Sequence, residues 1–198
     1  MRPTSIHLVF CFACFAAQQA KEPLPRVFVI NEFDGGSMVT KIGDFGGVNE
    51  GSALKRRFFV VNDPMCPVQL SGLGIKSRYS TGRDYSFTLS GSATAHESIS
   101  AVEIILVLFD LWGSHIHNLS SLTVKEVSSG SEILQDSEWG ASTADVREFM
   151  TSVSYVKRVR TPDGKIWRAD ARAILEKLAS VQLKISAEDL EPPSSGKK

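Results

Sequence analysis

The sequence predicts a mainly β domain, an antiparallel β-sandwich with an amphipathic helix packed on it at the C-terminal end. Three observations predict it. Several short stretches alternate apolar and polar residues with period two, turn chemistry recurs about every ten residues, and helical apolar spacing occurs clearly only near the C-terminal end. The chain has 198 residues, 42% of them hydrophobic, which suits one domain with its own core. Its 22 basic and 22 acidic residues cancel, so no global field draws it to nucleic acid.

The first twenty residues stand apart. Arg2 precedes the apolar run IHLVFCFACFAA, and small residues follow at Ala16, Ala17 and Ala20. A basic start, a short apolar run and small residues after it form the pattern of a secretory signal peptide, assigned here to 1–20. A bilayer span needs roughly 20 apolar residues, so no transmembrane segment is expected from this run or in the mature chain. The expected location is therefore the periplasm or the extracellular space. Lipidation of Cys14 is a lesser alternative, because CFAC lacks the usual leucine of a lipoprotein box. Once 1–20 is removed, Cys66 is a free thiol with no partner for an intramolecular disulfide.

Residues 21–190 are expected to form one domain. KEPLPR at 21–26 reads as an exposed leader and VFVI at 27–30 as a short strand. Residues 34–52 are glycine-rich loop or hairpin, with room for a strand at 38–42. FFVV at 58–61 is β-branched and aromatic, hence strand, and NDPMCP at 62–67 must break it, since its two prolines cannot donate to a ladder. VQLSGLGIK at 68–76 and DYSFTLSGSA at 84–93 alternate as half-buried strands.

SISAVEIILVLF at 98–109 is apolar on both faces, with Ile99, Ala101, Ile105, Val107 and Phe109 on one and Val102, Ile104, Leu106 and Leu108 on the other. Such a strand sits centrally and needs a cover on its second face, which the C-terminal helix can supply. Asp110 then accepts backbone hydrogen bonds in a turn that Gly113 relieves, and Trp112 is expected to fold over the sandwich end. LTVKEV at 122–127 alternates, and a short helix is expected near 145–150.

VSYVKRVR at 153–160 and KIWRA at 165–169 flank Thr161-Pro162-Asp163-Gly164, a hairpin turn in which proline presets φ and glycine supplies a positive one. Asp170 can cap the final helix, at about 170–186, where Ile174, Leu178, Val181 and Ile185 mark one face. The tail at 191–198, EPPSSGKK, is disordered by composition.

Leu106-Val107-Leu108-Phe109-Asp110 followed by Gly113 resembles the FxLYD-type domain, a family of immunoglobulin-like modules of exported bacterial proteins. Leu106 stands where the motif has Phe, and Phe109 where it has Tyr. The resemblance covers 84–134. It implies an immunoglobulin-like sandwich with a binding or scaffolding role and no catalytic residues.

Several residues remain as candidate chemistry. His115 and His117 are two apart, which on a regular strand puts both rings on one face, as a metal pair requires. His96 is the only other histidine after position 20, and a site would need at least one further His, Asp or Glu within coordination range. Between 157 and 172 six basic residues oppose two acidic ones, and Arg158, Arg160, Trp167 and Arg168 suggest a cationic, aromatic binding face. Cys66, between Pro64 and Pro67 with no neighbouring base, reads as a small buried hydrophobe. Ser52 and Lys55 have serine–lysine spacing without its companion motifs, and the glycines at 43–51 lack the lysine of a phosphate loop. Asn118-Leu119-Ser120 is a sequon, relevant only in a eukaryotic secretory pathway.

The expectation is thus an exported non-enzymatic binding or scaffolding module without a cofactor. Its partner would be a protein or an anionic envelope component. The alternatives are metal binding through His115 and His117, and a self-associating structural subunit.

Overall fold

The computed structural model describes residues 28–37, 55–79, 85–181, 183 and 185–190. The predicted signal peptide at 1–20, the leader at 21–26, the strand at 38–42, the Ser52 candidate and the tail at 191–198 lie outside the described residues.

In chain order the elements are β1 (Val29–Ser37), β2 (Lys55–Asn62), β3 (Val68–Tyr79), β4 (Tyr85–Ala95), β5 (Ile99–Asp110), β6 (His115–Val127), β7 (Glu132–Ala141), α1 (Thr143–Glu148), β8 (Phe149–Arg160), β9 (Ile166–Arg168), α2 (Ala171–Ala179) and α3 (Ala187–Leu190). They form two sheets. The larger has the order β1-β2-β8-β5-β6, with β9 also paired to β8, and the smaller has the order β3-β4-β7. The domain is β-rich with short helices at its C-terminal end. One pair departs from the antiparallel expectation: β2 runs parallel to β8, with Phe59 opposite Val153. Local alternation carries no information about which distant strand becomes the neighbour, so this pairing lay outside the sequence pattern.

The doubly apolar strand β5 is an interior strand, flanked by β8 and β6. Val102, Ile104, Leu106 and Leu108 pack with Val68, Leu70, Phe87 and Leu89 of the smaller sheet and with Phe149. On the opposite face Ile105, Val107 and Phe109 pack with Phe59, Val153 and Tyr155 under Ile174 and Leu178 of α2 and Leu190 of α3. The C-terminal helices therefore cover the second face of β5 from Ile105 to Phe109. Each such fully buried side chain contributes about 1.5–3 kcal/mol. Ile99 departs from its predicted face and joins the inter-sheet core, because the register shifts between Ile99 and Ala101.

The smaller sheet holds a close backbone approach. The β3–β4 register shifts between Ser71 and Gly74, and the inserted Leu73 reaches the core at 3% exposure. A Cβ on Gly91 would lie 2.7 Å from the Gly72 carbonyl oxygen and 2.9 Å from the Leu73 Cα.

The turns follow their predicted chemistry. Asp110 Oδ1 accepts from the backbone N–H of Trp112 at 2.8 Å and of Ser114 at 2.7 Å, and Gly113 has φ +80°. Trp112 does not fold over the end of the sheets as expected: it sits on the turn that Asp110 closes and is 83% exposed. At the second hairpin Gly164 N–H donates to the Thr161 carbonyl at 3.0 Å.

The helix expected over 170–186 is shorter, ending at Ala179, and a second one, α3, follows beyond the predicted span. Asp170 caps α2, accepting from Ala173 N–H at 3.2 Å. The helix stops at Ala179, where the Ser180 hydroxyl donates to the Lys177 carbonyl at 2.6 Å and competes with the helical ladder. Ser186 and Asp189 then cap α3 reciprocally. Val181 and Ile185 still pack on the core, from outside a helix. The short helix expected near 145–150 is α1, which begins earlier, because Ser142 and Asp145 form a capping box. Strand β7 was not read in the sequence.

Candidate functional site

His115 and His117 do not share a face. On a regular strand the i, i+2 spacing would align them, but β6 contains a bulge at Ile116. Leu108 pairs with His117 and Phe109 with His115, so Ile116 is the extra residue. His115 consequently lies on the helix-covered face, edge-on to Phe109 at 6.0 Å, with Nε2 2.6 Å from Asn118 Oδ1. His117 lies on the other face with Nε2 3.1 Å from Asp145 Oδ2 at the start of α1.

Partial burial raises the Asp145 carboxyl, but interactions with Ser142 and His117 outweigh it and hold the group below its ordinary value. Asn118, the sequon residue, is engaged by the fold: its Nδ2 donates to the Asp189 carbonyl at 2.7 Å and so ties α3 to β6. Among the described residues no group of three His, Cys, Asp or Glu is arranged to hold a metal ion.

Cys66 is buried, 4% exposed, within the inter-sheet core. Its Sγ accepts from Val68 N–H at 3.4 Å, and its own N–H donates to the Asp63 carbonyl at 2.9 Å. Asp63 also holds the turn by accepting from Met65 N–H, so NDPMCP is a turn that delivers Cys66 to the core.

The basic hairpin is brought together, but not as expected. Cross-strand pairs place Arg168 opposite Arg158, Trp167 opposite Val159 and Ile166 opposite Arg160. Strand alternation then puts Trp167 on the core side with Val159, away from the three arginines. Apolar residues from β6 and β9 take the place expected for the tryptophan. The helices cover only one end of the larger sheet. At the uncovered end one row across the strands reads Ile166, Arg160, Ala101, Val124, and the next reads Arg168, Arg158, Glu103, Leu122. Between them runs a groove of about 330 Å³, floored by Ala101.

Leu122, Val124 and Ile166 are 58%, 75% and 50% exposed, so the groove carries an apolar strip open to solvent. Arg158 is neutralised by an ion pair with Glu103, whose carboxylate also accepts from the Ser120 hydroxyl at 3.1 Å. Arg160 and Arg168 form no side-chain ion pair or hydrogen bond among the described residues, so their charge faces outward. Lys165 pairs with Asp163 and Arg172 with Glu176, which removes both from the predicted basic face.

The arrangement suits recognition of a surface that is apolar at its centre and acidic at its rim. The signal that could have located it was the alternation in LTVKEV, which was legible as a strand but not as one whose apolar side is left uncovered. No helix among the described residues is long and apolar enough to cross a membrane. Comparison of the chain with protein-family models, with curated proteins and with solved structures returns no match.

Proposed function

We propose that the chain is an exported, non-catalytic binding or scaffolding module of the cell envelope, built as an immunoglobulin-like sandwich of the FxLYD type. It docks a protein or an anionic envelope component on the open end of its larger sheet. The observation that carries the reading is the juxtaposition there of three exposed apolar side chains, Leu122, Val124 and Ile166, with the outward-facing Arg160 and Arg168. Burying exposed apolar area is favourable at about 25 cal/mol per Å², and unpaired arginines choose an acidic partner.

Among the described residues, the histidines and the cysteine that the sequence offered as chemistry are engaged by the fold, in keeping with this reading. His115 meets Asn118, His117 docks on Asp145, and Cys66 lines the core.

The test is a photo-crosslinking residue placed at Val124 in cells that export the full chain, with the crosslinked species identified by mass spectrometry. The reading expects a defined partner that disappears when Arg160→Glu and Arg168→Glu are combined. Crosslinks indifferent to that change would overturn it, and an uncleaved chain retained in the cytoplasm would overturn its placement in the envelope.

A further inference from the structure

We infer that the occupant of this groove is a second copy of the chain, seated head to tail through the outer face of its strand β7. This rests on the reading of the sheet end as a binding surface and names what fills it.

The complementary surface lies on the smaller sheet. On β7, Ile133 and Gln135 point inward and are buried, while Glu132, Leu134, Asp136 and Glu138 point outward and are exposed. Leu134 is 77% exposed on this outer face, where its β4 partner is Ser92, whose own neighbour across β3 is Ser71. The nearest described cation on that face is Lys76, on β3 and level with Glu138, two strand spacings or about 10 Å from β7. The outer face of β7 is thus an exposed leucine within a row of carboxylates, and the groove is an apolar strip beside two outward-facing arginines.

The spacings of the two charge sets differ by about 5 Å, within what arginine side chains can span. Residues on one face of a strand repeat about every 6.7 Å, so Glu132 and Asp136 flank Leu134 at roughly that distance on each side. In the groove, Arg168 is one strand across and two residues along from Arg160, a diagonal of about 8 Å that arginine side chains readily adjust. Ala101 leaves the floor low between Arg160 and Val124, the place for a leucine side chain. β7 is an edge strand of its sheet, so it can be laid across the groove of another copy without the rest of the sheet intervening. The equal numbers of basic and acidic residues, 22 and 22, mean that copies do not repel one another through net charge. Because the two surfaces differ, the contact is heterologous, and each copy offers one groove and one strand.

Sedimentation velocity of the purified protein, from low micromolar to near-millimolar concentration, tests this. The sedimentation coefficient should rise with concentration, and the rise should shrink in high salt. Two surface variants should each remain monomeric while keeping the wild-type unfolding temperature: the groove variant, Arg160→Glu with Arg168→Glu, and the strand variant, Leu134→Asp. Mixed in equal amounts they should form a dimer that grows no further, since only one intact groove and one intact strand remain per pair.

A wild-type protein that stays monomeric throughout overturns the inference, as does association that survives in either variant or a mixture that fails to dimerise. If the protein is monomeric yet Val124 crosslinks a different protein in the envelope, self-association falls and the binding surface stands. If Val124 crosslinks nothing, both fall.

Discussion

Replacing Gly91 with alanine tests whether the β3 bulge is held by a backbone approach that only glycine permits. Gly91 has φ +152°, and its added Cβ would meet the Gly72 carbonyl oxygen at 2.7 Å, Leu73 Cδ2 at 2.8 Å and Leu73 Cα at 2.9 Å. Two of these are backbone atoms, so relief requires the bulge itself to move and with it the core position of Leu73. Holding a non-glycine residue at such a φ costs about 1–2 kcal/mol, and overpacking costs about 1–3 kcal/mol. The expected loss is about 3 kcal/mol, or a fall in unfolding temperature of roughly 6–12 °C for a domain of this size.

Gly113→Ala supplies the control. Gly113 also has positive φ, at +80°, but nothing lies within 4 Å of its added Cβ. It should lose about 1 kcal/mol, the conformational part alone. Thermal unfolding followed by circular dichroism measures both. If Gly91→Ala is no more destabilising than Gly113→Ala, the close approach does not hold the bulge and the steric argument is wrong.

Three further outcomes are expected. Asp145→Asn should cost about 1 kcal/mol at neutral pH through the weakened cap of α1. Because the folded carboxyl is held below its ordinary value, that stabilisation is present above the unfolded pKa and is lost as pH falls through the folded one. Urea titrations of both proteins should therefore converge in acid, and a constant gap at every pH would refute the assignment. Arg158→Ala leaves the Glu103 side chain, 11% exposed, with only the Ser120 hydroxyl. It should lose about 2 kcal/mol in chemical denaturation, discounted for the half-exposed arginine, and an unchanged midpoint would show that the pair contributes nothing. Calorimetric titration with zinc should show no site of unit stoichiometry that depends on His115 and His117, because the bulge directs them to opposite faces. A stoichiometric site abolished by His115→Ala together with His117→Ala would contradict that geometry.

Much of the local structure was legible because its causes are local. The β-branched and aromatic run at 58–61 and the period-two stretches at 68–76 and 85–93 became strands, and the doubly apolar run became the interior strand β5. Asp110 and Asp170 act within four residues of themselves, so their roles as turn acceptor and helix cap could be read directly. The missed elements had weaker local signals. β7, EILQDSEWGA, mixes acids and glycine into its alternation, and the stop at Ala179 depends on Ser180 competing for backbone hydrogen bonds.

By itself the sequence determined where strands and turns lie, that β5 needs a cover on both faces, and that a C-terminal helix is available as one of them. Only the tertiary structure decided what each face meets. A single inserted residue, Ile116, reverses side-chain parity and separates the two histidines, while the alternation at 166–168 carries Trp167 into the core and leaves its arginine neighbours outside. The parallel neighbour of β8 comes from a strand about ninety residues earlier in the chain, beyond the reach of any periodic pattern. The open groove exists because α2 and α3 are too short to cover the whole sheet, so Leu122 and Val124, apolar residues in an ordinary alternating strand, end on a surface rather than in a core.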